Sequence, residues 1–254
     1  MDSDPGRLRA RIDAATSRLT AAAAGLTDAQ AREPSRLPGW SRGHVLTHLA
    51  RNADGLHNLL IWARTGIRTP QYPSREAREA GIAAGAGRAA AALAEDLEQS
   101  AAAFAAEAAT VPDGAWDVLV RGMNGPEHPA WFTLFRRLTE VEIHHVDLGC
   151  GYGPADWPAP FVADELERVR GQLAGRDDVP ACMIEVTDTG QRFLIGPALA
   201  DRTGAGVTVA GPGCWLLAWL TGRDAGTALS VRAVPGQEPA AAPGRLPPKL
   251  PKWS

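Results

Sequence analysis

No helix can run through Gly149-Cys150-Gly151-Tyr152-Gly153-Pro154, and that segment divides the 254-residue chain into two parts of different character. Before it the sequence reads as helix after helix. Residues 7–26 carry Leu8, Ile12, Ala15, Leu19 and Ala22 at helical spacing, stop at Gly25-Leu26, and leave Thr27 to cap a short helical turn. The loop Pro34-Ser35-Arg36-Leu37-Pro38-Gly39-Trp40 follows. Ser41 then serves as N-cap of a helix predicted over residues 42–65. Pro70 and Pro73 break the chain again before an alanine-rich stretch over residues 74–109, which the glycines at 81–87 either bend or divide. Loops at residues 112–114 and 122–129 precede a last helix over residues 131–148. Four long helices with short connections predict an up-down bundle over residues 1–150.

Beyond the break the periodicity changes. Residues 161–173 read as an amphipathic helix, residues 183–186, 192–195 and 206–209 as short strands, 211–220 as a helix and 228–231 as a last strand. The fold class is therefore α+β, a helical bundle followed by a small α+β domain over residues 151–254. The proline-rich tail from Pro235 is expected to run as an extended arm.

Charge and composition exclude several functions. A net charge of −3 with no basic stripe argues against nucleic acid as a partner. The alanine runs are too short and too interrupted by charge to span a membrane. The polar, acidic start resembles no signal peptide, so a cytoplasmic location is expected. Cys150, Cys182 and Cys214 are odd in number and far apart, which predicts neither a disulfide framework nor a cysteine metal site.

Two helices carry chemistry. His44 and His48 are four apart and share a face, as do Glu140 and His144. A metal needs nitrogen and oxygen donors converging on one point, and helix-borne pairs supply them rigidly; three protein donors leave a position open, the catalytic pattern. On the last helix Arg137, Glu140, His144 and Asp147 line one face beside the apolar Leu134, Leu138, Val141 and Leu148. A carboxylate and a histidine buried in that company need a partner, and a shared ion supplies one. Spacing alone leaves a solvated surface pair as the competing reading. His44, His57, His128 and His145 read as ordinary histidines.

The run Leu37-Pro38-Gly39-Trp40-Ser41-Arg42-Gly43-His44-Val45-Leu46-Thr47-His48-Leu49-Ala50-Arg51-Asn52-Ala53 closely resembles the signature of the mycothiol-dependent maleylpyruvate isomerase family. So do Glu140-Val141-Glu142-Ile143-His144-His145-Val146-Asp147-Leu148, the run Leu216-Leu217-Ala218-Trp219-Leu220-Thr221-Gly222-Arg223, and the ending Leu246-Pro247-Pro248 with Trp253. The resemblance implies a DinB-like four-helix bundle followed by a small domain similar to sterol-carrier folds. It also implies zinc held by His48, Glu140 and His144. By the same likeness Arg223 is expected to face the active site as a catalytic residue, although an arginine after a helix is equally placed to cap its carbonyls. Arg51, Arg137 and Arg223 are candidates to hold the carboxylates of substrate or thiol, whose planar geometry suits guanidinium groups.

The reaction so implied is a cis-to-trans isomerisation by reversible thiol addition to an activated alkene, with mycothiol as the thiol, a small molecule as substrate and the metal favouring the thiolate. The same ligands serve a thiol S-transferase, in which the thiol stays attached, and a non-catalytic metal- or thiol-binding module is the third reading.

Overall fold

Most helices in the first half begin where a side chain can satisfy their free N–H groups. In a computed structural model, which describes residues 1–197, 206–233 and 246–251, α1 (Pro5–Ala24) starts with proline in its first turn and Asp4 accepting from the Arg7 N–H. It buries Leu8, Ile12, Ala15, Leu19 and Ala23, one stripe at intervals of three and four. Thr27 and Gln30 form a capping box on the short α2 (Asp28–Arg32). Ser41 caps α3 (Arg42–Thr65), which ends on Gly66 in the left-handed region at φ 71°.

The alanine-rich stretch divides into α4 (Arg75–Gly85) and α5 (Ala90–Thr110). No side chain at Ala89 caps α5; instead Asp28 Oδ1 accepts from the Ala90 N–H at 2.7 Å. A small antiparallel hairpin, β1 (Leu119–Arg121) with β2 (Glu127–Pro129), brackets the stretch read as loop, its second strand falling within residues 122–129. The last helix of this half is α6 (Trp131–Leu148), terminated by Gly149 at φ 70°.

The four long helices pack as α1 against α5 and α6, and α3 against the same two. Chain neighbours α1 and α3 thus stand on a diagonal of the bundle, unlike a simple up-down order, as do α5 and α6. The physical reason is the length of the links: residues 25–41 and 111–130 are long enough to cross the end of a bundle, whereas tight loops join adjacent helices. Close helix contact is built in at two glycines. A Cβ on Gly43 would lie 2.2 Å from the Ala86 carbonyl oxygen, and one on Gly85 would lie 2.4 Å from Thr47 Cγ2, so α4 seats directly on α3.

The chain separates into two compact units, Asp2–Tyr152 and Gly153–Ser254 with Met1. The second unit is α+β: α7 (Ala159–Leu173), β3 (Cys182–Val186), β4 (Arg192–Ile195), β5 (Val207–Gly211), α8 (Gly213–Leu220) and β6 (Ser230–Ala233). Its sheet runs β4-β3-β5-β6, with β3 and β5 parallel and both outer pairs antiparallel. Central β5 is buried throughout, while β3 alternates with period two. Helices α7 and α8 pack together. Of the tail expected as an extended arm, residues 235–245 lie outside the described residues, and 246–251 have no regular structure. Among the described residues no helix is long and apolar enough to cross a membrane.

Candidate metal centre

The loop before α3 is tied to the end of α6. Arg36 N–H donates to the Asp147 carbonyl at 2.8 Å, and Arg42 Nε donates to the Leu148 carbonyl at 3.0 Å. Within the loop, Ser35 returns two hydrogen bonds to the Trp40 carbonyl around the left-handed Gly39. The start of α3 is thereby fixed beside the last turns of α6. His44, four residues before His48, is spent on this anchoring: its Nδ1 lies 3.2 Å from Ser41 N and 2.7 Å from Ser41 Oγ, completing a capping box.

One turn further on, His48 meets α6. His48 Nε2 lies 3.1 Å from Glu140 Oε2 and 3.1 Å from His144 Nε2, and His144 Nε2 lies 3.2 Å from the same Glu140 oxygen. The two imidazoles stand at 90° with centroids 4.6 Å apart, and the Trp40 ring meets His48 edge-on at 5.6 Å. Donors about 2.0–2.1 Å from a tetrahedral zinc ion lie about 3.3 Å from one another. Two imidazole nitrogens and one carboxylate oxygen separated by 3.1–3.2 Å therefore fit a single small divalent ion. His48, Glu140 and His144 form the group of potential metal donors found among the described residues. His48 is nearly sealed, whereas the Glu140 side chain keeps 27% of its exposure, so the cluster is most open on the carboxylate side.

Neighbouring groups set the charge and direction of each donor. Asp147, 1% exposed, accepts at 2.8 Å from His144 Nδ1, which leaves the Nε2 lone pair aimed at the cluster. Burial opposes charge on His144, but Asp147 and Glu140 outweigh it and raise its pKa. Burial likewise opposes ionisation of Glu140, yet hydrogen bonds from His144 and His48 hold it well below the usual carboxylate range. Burial, with His144 and Arg78 nearby, lowers the pKa of His48 despite Glu140.

The arginines fall in different places. Arg51 is engaged by Asp54 at 2.8 Å and Asp96 at 2.7 Å. Arg137 is fully buried, donating through Nη1 to the Leu49 carbonyl at 2.8 Å and to Asn52 Oδ1 at 3.0 Å, and burial pulls its pKa down to about 10. Its Nε and Nη2 have no hydrogen-bond partner among the described residues. Arg223, in the second unit, donates to the Thr221 carbonyl at 2.7 Å, at the C-terminus of α8. Sequence reasoning passed over Arg78 on α4, whose Nη2 lies 3.1 Å from His48 Nδ1, and Tyr72, over whose ring the Arg78 guanidinium sits at 5.9 Å. Tyr72 also lines a cavity of about 490 Å³ with Trp62, Arg68, Gln71, Arg121 and Glu127, which none of the three donors reaches. Nothing in the alanine-rich stretch distinguished Arg78 from a surface charge.

The family model of the mycothiol maleylpyruvate isomerase N-terminal domain matches residues 12–149. A crystal structure of a mycothiol-dependent maleylpyruvate isomerase is similar at 27% identity over 98% of this chain and 97% of its own, with a TM-score of 0.84. A crystal structure of a histidine-to-alanine mutant of mycothiol-dependent maleylpyruvate isomerase is similar at the same identity and coverage, with a TM-score of 0.83. No curated protein sequence matches the chain.

Proposed function

The chain belongs to the mycothiol maleylpyruvate isomerase N-terminal domain family, and from that premise we propose that it is a zinc-dependent enzyme of the maleylpyruvate isomerase type, using mycothiol to isomerise the cis double bond of a small activated alkene. The observation that carries this reading is the convergence of His48 Nε2, His144 Nε2 and Glu140 Oε2 to within 3.1–3.2 Å of one another. Bound there, a divalent ion would lower the pKa of a coordinated thiol enough to give thiolate near neutral pH, the nucleophile that reversible addition to the alkene needs.

The chain's own residues supply the setting. Asp147 holds the Nδ1 proton of His144 and so keeps its other nitrogen available. The Trp40 edge and the surrounding bundle keep water from His48. The partial exposure of Glu140 leaves an approach for thiol and substrate. The three cysteines are not among the donors, which agrees with a nucleophile that comes from outside the chain. Within this reading Arg223 is kept as a catalytic candidate, and Arg51, Arg137 and Arg223 as candidates for binding thiol or substrate carboxylates. Each also has a protein contact of its own, so lowered turnover at unchanged metal content in an Arg→Gln variant would be the mark of a direct role.

The test is metal content followed by turnover. The purified protein is expected to carry about one zinc per chain, His48→Ala to lose it with helical content retained, and maleylpyruvate to isomerise only when mycothiol is added. A stable thioether product would move the assignment to thiol transfer. Full turnover in metal-free His48→Ala would overturn the proposal.

A further inference from the structure

Two absent side chains shape a cavity within the first unit, at the end of α3 away from His48. A Cβ on Gly55 would lie 2.9 Å from the Gln71 carbonyl oxygen, and one on Gly122 would lie 2.3 Å from Arg136 Nη1 and 2.9 Å from Gln71 Oε1. Gln71 is therefore seated at backbone contact on α3, with the segment after β1 closed over its amide. The space beside it is about 490 Å³, within the range of small-molecule pockets, and Trp62, Pro70, Tyr72 and Met123 form its less polar walls. His48, Glu140 and His144 are not part of its lining.

Gln71 says what the cavity binds. The residue is 5% exposed, and its Oε1 accepts from the Met123 N–H at 2.9 Å. A backbone N–H can only donate, so this bond fixes which way round the amide stands. Arg136 Nη2, another obligate donor, lies 3.5 Å from the same oxygen. Gln71 Nε2 is left with no hydrogen-bond partner among the described residues, on a buried side chain that lines the cavity. A buried donor held in this way calls for an acceptor from the ligand. The remaining polar lining is also rich in donors. Arg68 and Arg121 are both exposed and stand at the mouth, and Glu127, the one carboxylate there, is engaged by Arg121 at 3.4 Å.

We propose that this cavity is a second ligand site, separate from the metal centre, for a planar aromatic carboxylate. The ring lies against Trp62 and Tyr72, where flat apolar surface is buried. The carboxylate accepts from Gln71 Nε2 and faces the guanidinium groups, whose planar forks match it. The site is independent of the reaction assigned to the metal centre.

The experiment titrates 2-naphthoate by calorimetry into the purified full chain, His48→Ala, Gln71→Glu and Arg68→Met, with 2-naphthamide and acetate as comparison probes. The parent is expected to bind 2-naphthoate saturably, and His48→Ala to bind it equally well. Gln71→Glu keeps an oxygen for the Met123 N–H and sets a carboxylate where the amide donors stood, so affinity should fall about 10- to 100-fold. Arg68→Met leaves the buried packing untouched and should weaken binding about two- to fivefold, the scale of an exposed charge. 2-Naphthamide lacks the charge and acetate lacks the ring, and each should bind about tenfold weaker or worse. No saturable binding at millimolar 2-naphthoate would overturn the proposal, as would equal affinity for 2-naphthamide or acetate. Unchanged affinity in Arg68→Met and in a Gln71→Glu protein of parental Tm would also overturn it. Loss of binding in His48→Ala would place the ligand at the metal centre and refute a separate site.

Discussion

Asp147 offers the sharpest test of how the centre is built, because it reaches the cluster through the far nitrogen of His144. Its bond to His144 Nδ1 is 2.8 Å long and the residue is 1% exposed, so the interaction is charge-assisted and little screened by solvent. Hydrogen bonds to charged groups contribute about 1.5–3 kcal/mol, against roughly 1 for neutral pairs. Asp147→Asn keeps an oxygen to accept the Nδ1 proton and loses the charge, so the expected cost to zinc binding is about 1.4 kcal/mol, a tenfold weaker Kd. Asp147→Ala also strands the Nδ1–H in a buried site, and the loss should approach about 100-fold, the upper end for outer-shell partners of metal-bound histidines. Chelator competition at fixed pH reads both values. The decisive step is a double-mutant cycle: in a His144→Ala background Asp147→Asn should have almost no effect, because the residue through which it acts is gone. Zinc affinity unchanged in Asp147→Asn, or an equal loss with and without His144, would refute this account of the site.

Three further outcomes follow from other parts of the first unit. Burial raises the pKa of Glu142 although Tyr152 and Arg18 donate to it at 2.5 and 2.7 Å. The folded chain then keeps that proton at pH values where the unfolded chain has lost it, and the parent loses stability as pH rises from the ordinary carboxylate value through the folded one. Glu142→Gln removes that titration, so its unfolding free energy relative to the parent should climb as pH rises above the ordinary carboxylate value; urea unfolding that shows a flat difference would contradict the assignment. Gly43→Ala drives a Cβ to 2.2 Å from the Ala86 backbone oxygen, which cannot swing aside as a side chain would. It should destabilise by about 1–3 kcal/mol or more, seen as a lower Tm, and a wild-type Tm would mean that α4 is loosely seated. Cys150, its thiol pushed up by burial and its Sγ 3.6 Å from the Leu148 carbonyl, has no part in the proposed chemistry. Cys150→Ser should keep thiol-dependent turnover within about twofold, and its loss would place the nucleophile on the chain.

What the sequence made legible is what depends on local signals. Ser41 before an apolar-periodic run, and Gly149 after one, give α3 and α6 their observed limits of residues 42–65 and 131–148, because caps and left-handed glycines act within a turn of where they stand. The i, i+4 relation of Glu140 and His144 is likewise a local fact, and the polar stripe on an apolar helix announced that it needed partners. What stayed hidden is what distant segments supply to one another. Asp28 caps α5 from 62 residues away, and β1 and β2 are three residues each with only Val120 buried, too short for a period of two to register. His44 shares a helix face with His48 and read only as an ordinary histidine; its capping bond to Ser41 came from the loop before α3, which spacing does not describe. Arg137 stood in the same stripe as the donors, yet it turns to the backbone of α3, pinning the Leu49 carbonyl next to His48. Arg78 is the limiting case: its place depends on Gly43 and Gly85 admitting a neighbouring helix at backbone contact, and a missing Cβ leaves no periodicity to read. The donors of this centre and Asp147, which orients one of them, are thus written along two helices, whereas Arg78 reaches His48 only through the approach of a third. A test at Asp147 therefore probes the order within the site more sharply than removal of a ligand does.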